Sequence, residues 1–177
     1  MAVTGLSACG TAATDSGYVS AGGGGSPVTL IPPDKRPTAP ILTGTTIDGG
    51  TFSTAEAADK VIVLNVWGSW CAPCRKEAAD LQAASVETAA VARFVGINTR
   101  DPDPAQAKAF NRSFGVTYPS LYDPAGEQVL KLQGQVPPNG IPSTLVIDQQ
   151  GRIAARIIGE TTKLTLVTVV NDVASGK

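Results

Sequence analysis

Residues 61–77 read VIVLNVWGSWCAPCRKE, and this stretch decides the fold. The apolar run Val61–Trp67 predicts a buried strand, and residues 75 to about 90 predict a helix. Cys71 and Cys74 lie at the junction of the two, in C-x-x-C spacing. A C-x-x-C pair between a strand and a helix is typical of a site for thiol–disulfide exchange.

The position of each sulfur suggests a separate role. Cys71 lies at the predicted helix N-terminus, where unpaired N–H groups and the helix dipole favour a thiolate. Cys74 lies about one turn further on, where it can attack a mixed disulfide. A structural disulfide and half of a zinc site are the alternatives. A zinc site needs about four ligands, and the chain has no histidine and only one other cysteine, Cys9.

Composition limits the possible functions. The 177 residues allow one core of ordinary size, and a formal net charge of −1 gives no reason to expect a nucleic acid partner. The absence of histidine excludes Ser-His-Asp and Cys-His catalysis and imidazole metal sites. We expect no metal and no organic cofactor. No stretch approaches the 18 or so apolar residues of a membrane helix.

The N-terminal segment, residues 1–40, is predicted to be a flexible linker, and residues 41–177 to be the folded domain. Residues 1–40 are rich in glycine and proline and have few large apolar side chains, so they cannot bury enough surface to fold. Leu6-Ser7-Ala8-Cys9 resembles a bacterial lipobox, which makes Cys9 a lipidation candidate. Only eight residues precede Cys9, so a truncated signal segment is expected. The alternative is an unmodified cysteine in a flexible tail.

The remaining chain alternates between strand and helix patterns. The predicted elements are a hairpin (41–47 and 51–53), a strand (92–99), a helix capped by Asp103 (104–114), an extended piece (118–123), a brief helix (127–132), two strands (143–148 and 152–158) and a last helix, capped by Thr161 or Thr162, to about residue 173. This order predicts an α/β sandwich with a mixed sheet.

This order and these residues resemble the thioredoxin superfamily, and more closely its extracytoplasmic TlpA/ResA-like branch. The resemblance covers residues 40 to about 173 and is carried by residues 64–77, by Gly-Ile-Pro-Ser-Thr-Leu at 140–145, and by Val-Gly-Ile-Asn at 95–98. It implies a thioredoxin-like fold: a mixed central sheet flanked by helices. An N-terminal β-hairpin extension and a central insertion at about 110–135 fit this branch.

The resemblance also implies roles within the motif. Cys71 is expected to be the exposed, attacking sulfur and Cys74 the buried, resolving one. Trp70 is expected to shield the apolar side of the disulfide. In the spacer Ala72-Pro73, the proline removes a backbone donor and fixes φ, which limits how the two sulfurs relax on reduction.

A second loop completes the site that the resemblance implies. Pro142 matches the family's cis-proline, so we predict a cis Ile141–Pro142 bond. That bond would expose the backbone of Ile141 to pair with an extended substrate strand beside the sulfurs.

The route of the Cys74 proton differs from that in cytoplasmic thioredoxins, which carry a buried Asp where this chain has Asn65. The resemblance implies a carboxylate after the following strand, and Asp101 occupies that place. Asp101 is therefore a candidate acid/base for the cysteines. A cap or turn residue beside Pro102 is the alternative. Glu77 is predicted to be a surface residue of the helix.

The implied activity is that of a thiol–disulfide oxidoreductase outside the cytoplasmic membrane, monomeric and acting on protein substrates. A reductase of specific disulfides, commonly those of apocytochrome c, recharged by a membrane electron donor, is the leading hypothesis. An oxidant or isomerase of secreted proteins is the alternative. A thiol peroxidase is a weaker one, because that family's Thr three residues before the cysteine is here Gly68.

Overall fold

Strand β5 (Val61–Trp67) lies in the interior of the sheet, and all seven of its residues are buried. It pairs in parallel with β6 (Ala92–Thr99) and antiparallel with β8 (Ser143–Ile147). A nearly continuous run of Val, Ile and Leu suits a strand that is covered on both faces. The predicted strand at Val61–Trp67 is confirmed.

The other elements build a thioredoxin-like α/β sandwich around this strand. The computed structural model describes residues 18–19, 28–57 and 59–177. One sheet has the order β1-β2-β9-β8-β5-β6-β7, and β3 and β4 form a separate hairpin. The remaining strands are β1 (Tyr18–Val19), β2 (Val28–Leu30), β3 (Thr43–Thr45), β4 (Thr51–Ser53), β7 (Ser120–Asp123) and β9 (Ile153–Ile158), and the helices are α1 (Ala72–Glu87), α2 (Pro104–Phe114), α3 (Glu127–Lys131) and α4 (Lys163–Ala174).

Each face of the sheet has its own apolar cover. Val61 and Val63 pack in one cluster with residues of α1 and α4. Ile62, Leu64 and Val66 pack in a second cluster with the β3–β4 hairpin and the segment after α3. Alternate residues of a strand point to opposite faces, which explains the division. The hairpin and the central insertion therefore cover the face opposite α1.

Helix boundaries follow the predicted caps. The Asp103 side chain accepts a hydrogen bond from the Ala105 N–H at 2.7 Å, and α2 ends at Gly115 with φ of 67°. Thr162, one of the two predicted caps, begins α4. Helix α1 begins at Ala72 rather than at residue 75, because Cys71 itself is the N-cap.

The predicted linker is wrong for its last part. β2 pairs with β9, with Val28 opposite Ile157, and Val28 is buried. The backbone of Ile31 then bonds to Ala154, and buried Arg36 forms an ion pair with Asp148 at 3.1 Å. A strand this short gains its stability from its neighbours in the sheet, so composition alone does not reveal it.

Cys9 and the lipidation prediction lie outside the described residues. Within the described ranges, no helix is both long enough and apolar enough to cross a membrane.

Gly96 allows β6 to approach its neighbours closely. A Cβ atom there would lie 2.1 Å from Ser120 Oγ and 2.6 Å from Trp67 Nε1, two atoms that are hydrogen-bonded to each other. We expect Gly96→Ala to lower the free energy of unfolding by about 1–3 kcal/mol through overpacking. Chemical denaturation measures this change. Gly44→Ala is the matched control, since its nearest neighbour would be at an ordinary 3.8 Å. Equal stability of the two variants would contradict the close approach.

Candidate active site

Cys71 and Cys74 form a disulfide at the start of α1, with their Cα atoms 5.2 Å apart. The backbone N–H of Cys74 donates to Cys71 Sγ at 3.2 Å, which makes Cys71 the helix N-cap. On reduction, a thiolate at Cys71 would keep this donor and face the positive end of the helix dipole.

Both sulfurs are buried in the oxidised state. Cys71 is 3% exposed and Cys74 is 1% exposed, so the predicted exposure of Cys71 is not found. An apolar cluster that contains Trp67 and Phe110 covers them. The spacer, Ala72-Pro73, is exposed. A partner disulfide therefore reaches Cys71 beside this spacer rather than through an open cleft.

The cis-proline loop lies against the attacking sulfur. The Ile141–Pro142 peptide bond is cis, as predicted. The Ile141 carbonyl oxygen lies 3.8 Å from Cys71 Sγ. The Ile141 N–H donates to the Asn139 carbonyl at 3.0 Å, so only the carbonyl of Ile141 faces the site. An approaching backbone would pair with that carbonyl alone.

The tryptophan that covers the disulfide is Trp67 rather than Trp70. The Trp67 and Phe110 rings pack with centroids 4.4 Å apart, in the cluster that holds both cysteines. Trp70 is 51% exposed and donates from Nε1 to the Thr99 carbonyl at 3.4 Å. Its ring folds back over Gly68, where any side chain would collide with it. Because Gly68 has no side chain, the Trp70 ring has room to lie over it.

Glu77 is buried, which corrects the prediction that it lies on the surface. It is 2% exposed. Its Oε1 accepts from Asn65 Nδ2 at 2.9 Å, and its Oε2 accepts from the Thr161 N–H at 2.9 Å. Burial raises the pKa of Glu77 to about 7, against the opposing effect of these two hydrogen bonds. The nearby charges of Glu160 and Asp80 raise it further.

Glu77 is a candidate proton acceptor for Cys74. Both belong to the buried face of α1, one helical turn apart. Asn65, which holds Glu77, lines a small cavity together with Cys74 and Tyr118. A carboxyl group with a pKa near 7 both takes up and releases protons at neutral pH. Two features of the sequence could have revealed the burial of Glu77. It stands three residues after Cys74 on the helix, and the buried strand before the motif carries a polar residue, Asn65.

Asp101 is buried under the loop that precedes the disulfide. Its carboxylate accepts from the Ser69 N–H at 2.9 Å, from Ser69 Oγ at 2.6 Å and from Asn98 Nδ2 at 2.6 Å. Its backbone carbonyl accepts from Tyr122 OH at 3.0 Å. These contacts hold Ser69, two residues before Cys71, and favour a positioning role for Asp101 over direct proton exchange.

The raised pKa of Glu77 makes stability depend on pH. Between about 4.5 and 7, folded Glu77 holds a proton that the unfolded chain has lost, so the free energy of unfolding should fall as the pH rises. Across this pH range the free energy of unfolding should fall by about 3 kcal/mol. Denaturant unfolding across this range should show the slope in wild type and lose it in Glu77→Gln. Glu87→Gln, on the exposed side of the same helix, is the control. An unchanged slope in Glu77→Gln would refute the assignment.

The contacts of Asp101 predict the effect of Asp101→Asn. The new amide would face a donor of Ser69, so we expect a loss of about 1–3 kcal/mol in unfolding free energy. Thiol exchange by Cys71 should slow at every pH, without a shift in the midpoint of its pH profile. Asp103→Asn should change neither quantity, since Asn and Asp cap helices equally well. A displaced midpoint in Asp101→Asn would show instead that this carboxyl titrates with the cysteines.

The sequence matches known thiol–disulfide proteins. The Redoxin family profile matches residues 29–173. Thiol:disulfide interchange protein HelX of Rhodobacter capsulatus is 32% identical over 126 residues, which are 71% of this chain and 68% of HelX. Thiol-disulfide oxidoreductase ResA of Bacillus anthracis is 29% identical over 128 residues, 71% of this chain and 70% of ResA.

Solved structures agree. A secreted thiol-disulfide isomerase from Corynebacterium glutamicum has 32% identity and a TM-score of 0.79, over 89% of this chain and 96% of that one. A DsbF homologue from Corynebacterium diphtheriae has 36% identity and a TM-score of 0.77, over 87% of this chain and 97% of that one. The chain therefore belongs to the Redoxin family, and it is a thiol–disulfide oxidoreductase of the ResA and HelX type.

Proposed function

We propose that this protein is a reductase that acts on disulfides of other proteins outside the cytoplasm. The observation that carries the proposal is that one hydrogen-bond donor contacts Cys71 Sγ, while the neighbouring cations Arg75 and Lys76 are engaged elsewhere. A dithiol whose reduced form is strongly stabilised is an oxidant, whereas one without that stabilisation is a reductant. Among the described residues, the Cys74 N–H is the one donor that contacts Cys71 Sγ.

The nearest cations are engaged elsewhere. The Arg75 guanidinium lies over the Phe114 ring, 5.2 Å from its centroid, and donates to the Ser69 carbonyl at 3.4 Å. Lys76 pairs with Glu160 at 3.7 Å. Both are exposed side chains on the outer side of α1, so solvent and salt screen their charges from Cys71.

The reductive cycle then uses each residue once. The Cys71 thiolate attacks one sulfur of the client disulfide, forms a mixed disulfide and releases the other sulfur as a thiolate. Glu77 takes the proton of the Cys74 thiol. The Cys74 thiolate attacks Cys71 Sγ, releases the second client thiolate and closes the Cys71–Cys74 disulfide. Two electrons pass to the client, whose thiolates take up protons from solvent.

The client and the setting follow from the resemblance to the ResA-like branch. We propose apocytochrome c, before haem attachment, as the client and a membrane electron donor as the source of electrons. Extracytoplasmic placement is supported by the C. glutamicum relative, which is described as secreted. Attachment to the membrane through lipidated Cys9 is the proposed anchor, supported by the Leu-Ser-Ala-Cys pattern.

A redox titration of the Cys71–Cys74 couple against a glutathione or dithiothreitol buffer tests the direction of electron flow. We expect a potential near about −270 mV or below, as for thioredoxin, because so little stabilises the reduced form. The Cys9→Ser protein removes interference from the third cysteine. A value near about −120 mV would instead identify an oxidant and overturn the proposal. That outcome would favour the isomerase description of the C. glutamicum relative.

A further inference from the structure

A solvent-open groove of about 290 Å³ lies beside the disulfide, on the side of the cis-proline loop. Ile141 lines the groove, and its carbonyl oxygen lies 3.8 Å from Cys71 Sγ. Ile141 therefore connects the groove to Cys71, the sulfur to which a client would be bonded. Its volume is at the small end of the range for ligand pockets, which suits one or two side chains better than a cofactor.

The walls of the groove are mostly apolar. Val129 and Leu130 of α3 form one side, and Val136 and Pro138 form another. Leu130 is 67% exposed. Helix α3 is too short to be stabilised by its own hydrogen bonds, so an exposed leucine on it contributes little to its stability. Thr99, whose carbonyl binds the exposed Trp70, lines the groove as well. Apolar surface thus extends from Ile141, on the cis-proline loop, to α3.

One charge faces this apolar surface. Arg100 is the only charged residue in the lining, and it is exposed. Its Nη2 donates to the Pro138 carbonyl at 2.9 Å and to Asn139 Oδ1 at 3.1 Å. Nε and Nη1 have no hydrogen-bond partner in the part of the chain that the structure describes. The guanidinium is therefore held at the groove with donors to spare, which suits a carboxylate.

The backbone of Arg100 supports a role beyond packing. Its φ of 60° is the only positive value at a non-glycine residue in the described ranges. An ordinary side chain adopts this conformation at a cost, and such outliers concentrate at binding and catalytic sites. The turn aims the guanidinium at the cis-proline loop while the next residue, Asp101, turns inward to Ser69.

We infer that this groove binds the client segment that flanks the reactive cysteine, and that it selects an apolar side chain accompanied by a carboxylate. The inference depends on the proposed function, since the client sulfur bonded to Cys71 brings its neighbours to the groove. An extended chain advances about 3.3–3.6 Å per residue, so residues two or three positions from the client cysteine reach Leu130 and Arg100.

Three disulfide-linked peptide homodimers test the inference, since either sulfur of a symmetric dimer is equivalent. At two and three positions from its cysteine, one dimer carries Leu and Asp, the second Leu and Lys, and the third Ser and Asp. We expect reduced wild type to reduce the Leu-Asp dimer about threefold faster than the Leu-Lys dimer. The Leu-Asp dimer should also be reduced about fivefold faster than the Ser-Asp dimer. The Asp preference should shrink at high salt.

Variants assign these preferences to residues. Arg100→Glu should reverse the Asp-over-Lys ratio, and Leu130→Ser should reduce the Leu-over-Ser ratio. A ratio within one variant cancels any general change in the cis-proline loop. The matched controls are Arg93→Glu, at the opposite end of β6, and Leu164→Ser, on α4, whose 68% exposure is close to the 67% of Leu130. Both should keep the wild-type ratios.

Three results would overturn the inference: equal rates for all dimers in wild type, ratios that survive both groove variants, or a Leu130→Ser protein that changes oligomeric state in sedimentation. The last result would mean that a second copy of the chain covers the groove. Failure to reduce any of the dimers would count against the proposed function itself, because even the Ser-Asp dimer offers a disulfide to Cys71.

Discussion

The parallel register of β5 and β6 is the constraint on which the site depends. Trp67 pairs with Asn98, so the two strands end at the same edge of the sheet. The disulfide loop leaves one strand, and residues 99–101 leave the other. β8 starts at this edge, since Ser143 pairs with Val66 directly after the cis-proline. Three separate parts of the chain therefore meet at the disulfide without a long loop.

The buried Glu77 shows that the site is built for chemistry at some expense of stability. A carboxyl group surrounded by apolar residues is costly in its charged form. Asn65 and the Thr161 N–H offset part of that cost, and they also fix where the carboxyl lies. Apolar residues at these positions would stabilise the domain more. They would also remove the carboxyl group that lies one helical turn from Cys74.

The local features of the fold could be predicted from the sequence, and the tertiary ones could not. The β5–α1 junction, the Asp103 cap and the hairpin follow from periodicity, capping and turn chemistry, which act over a few residues. The cis bond at Pro142 was predictable only through the resemblance, because most X-Pro bonds are trans. Glu77 escaped because α1 is rich in alanine, so no apolar stripe marked its buried face. Trp67, and not Trp70, lies in the cluster around the disulfide, because the Trp70 ring lies over Gly68. The strand at Val28–Leu30 forms because it pairs with β9. Neither contact has a local signal in the sequence.

The contrasting positions of the two tryptophans give the protein a built-in optical reporter. Trp67 is buried in the cluster that holds the disulfide, whereas Trp70 is half exposed at the rim. Disulfides quench the fluorescence of neighbouring indoles, so the emission of Trp67 should brighten on reduction. Trp70 emits from a solvated environment and should shift to shorter wavelength when another molecule covers it. One emission spectrum can therefore separate the redox state of the cysteines from the arrival of a partner.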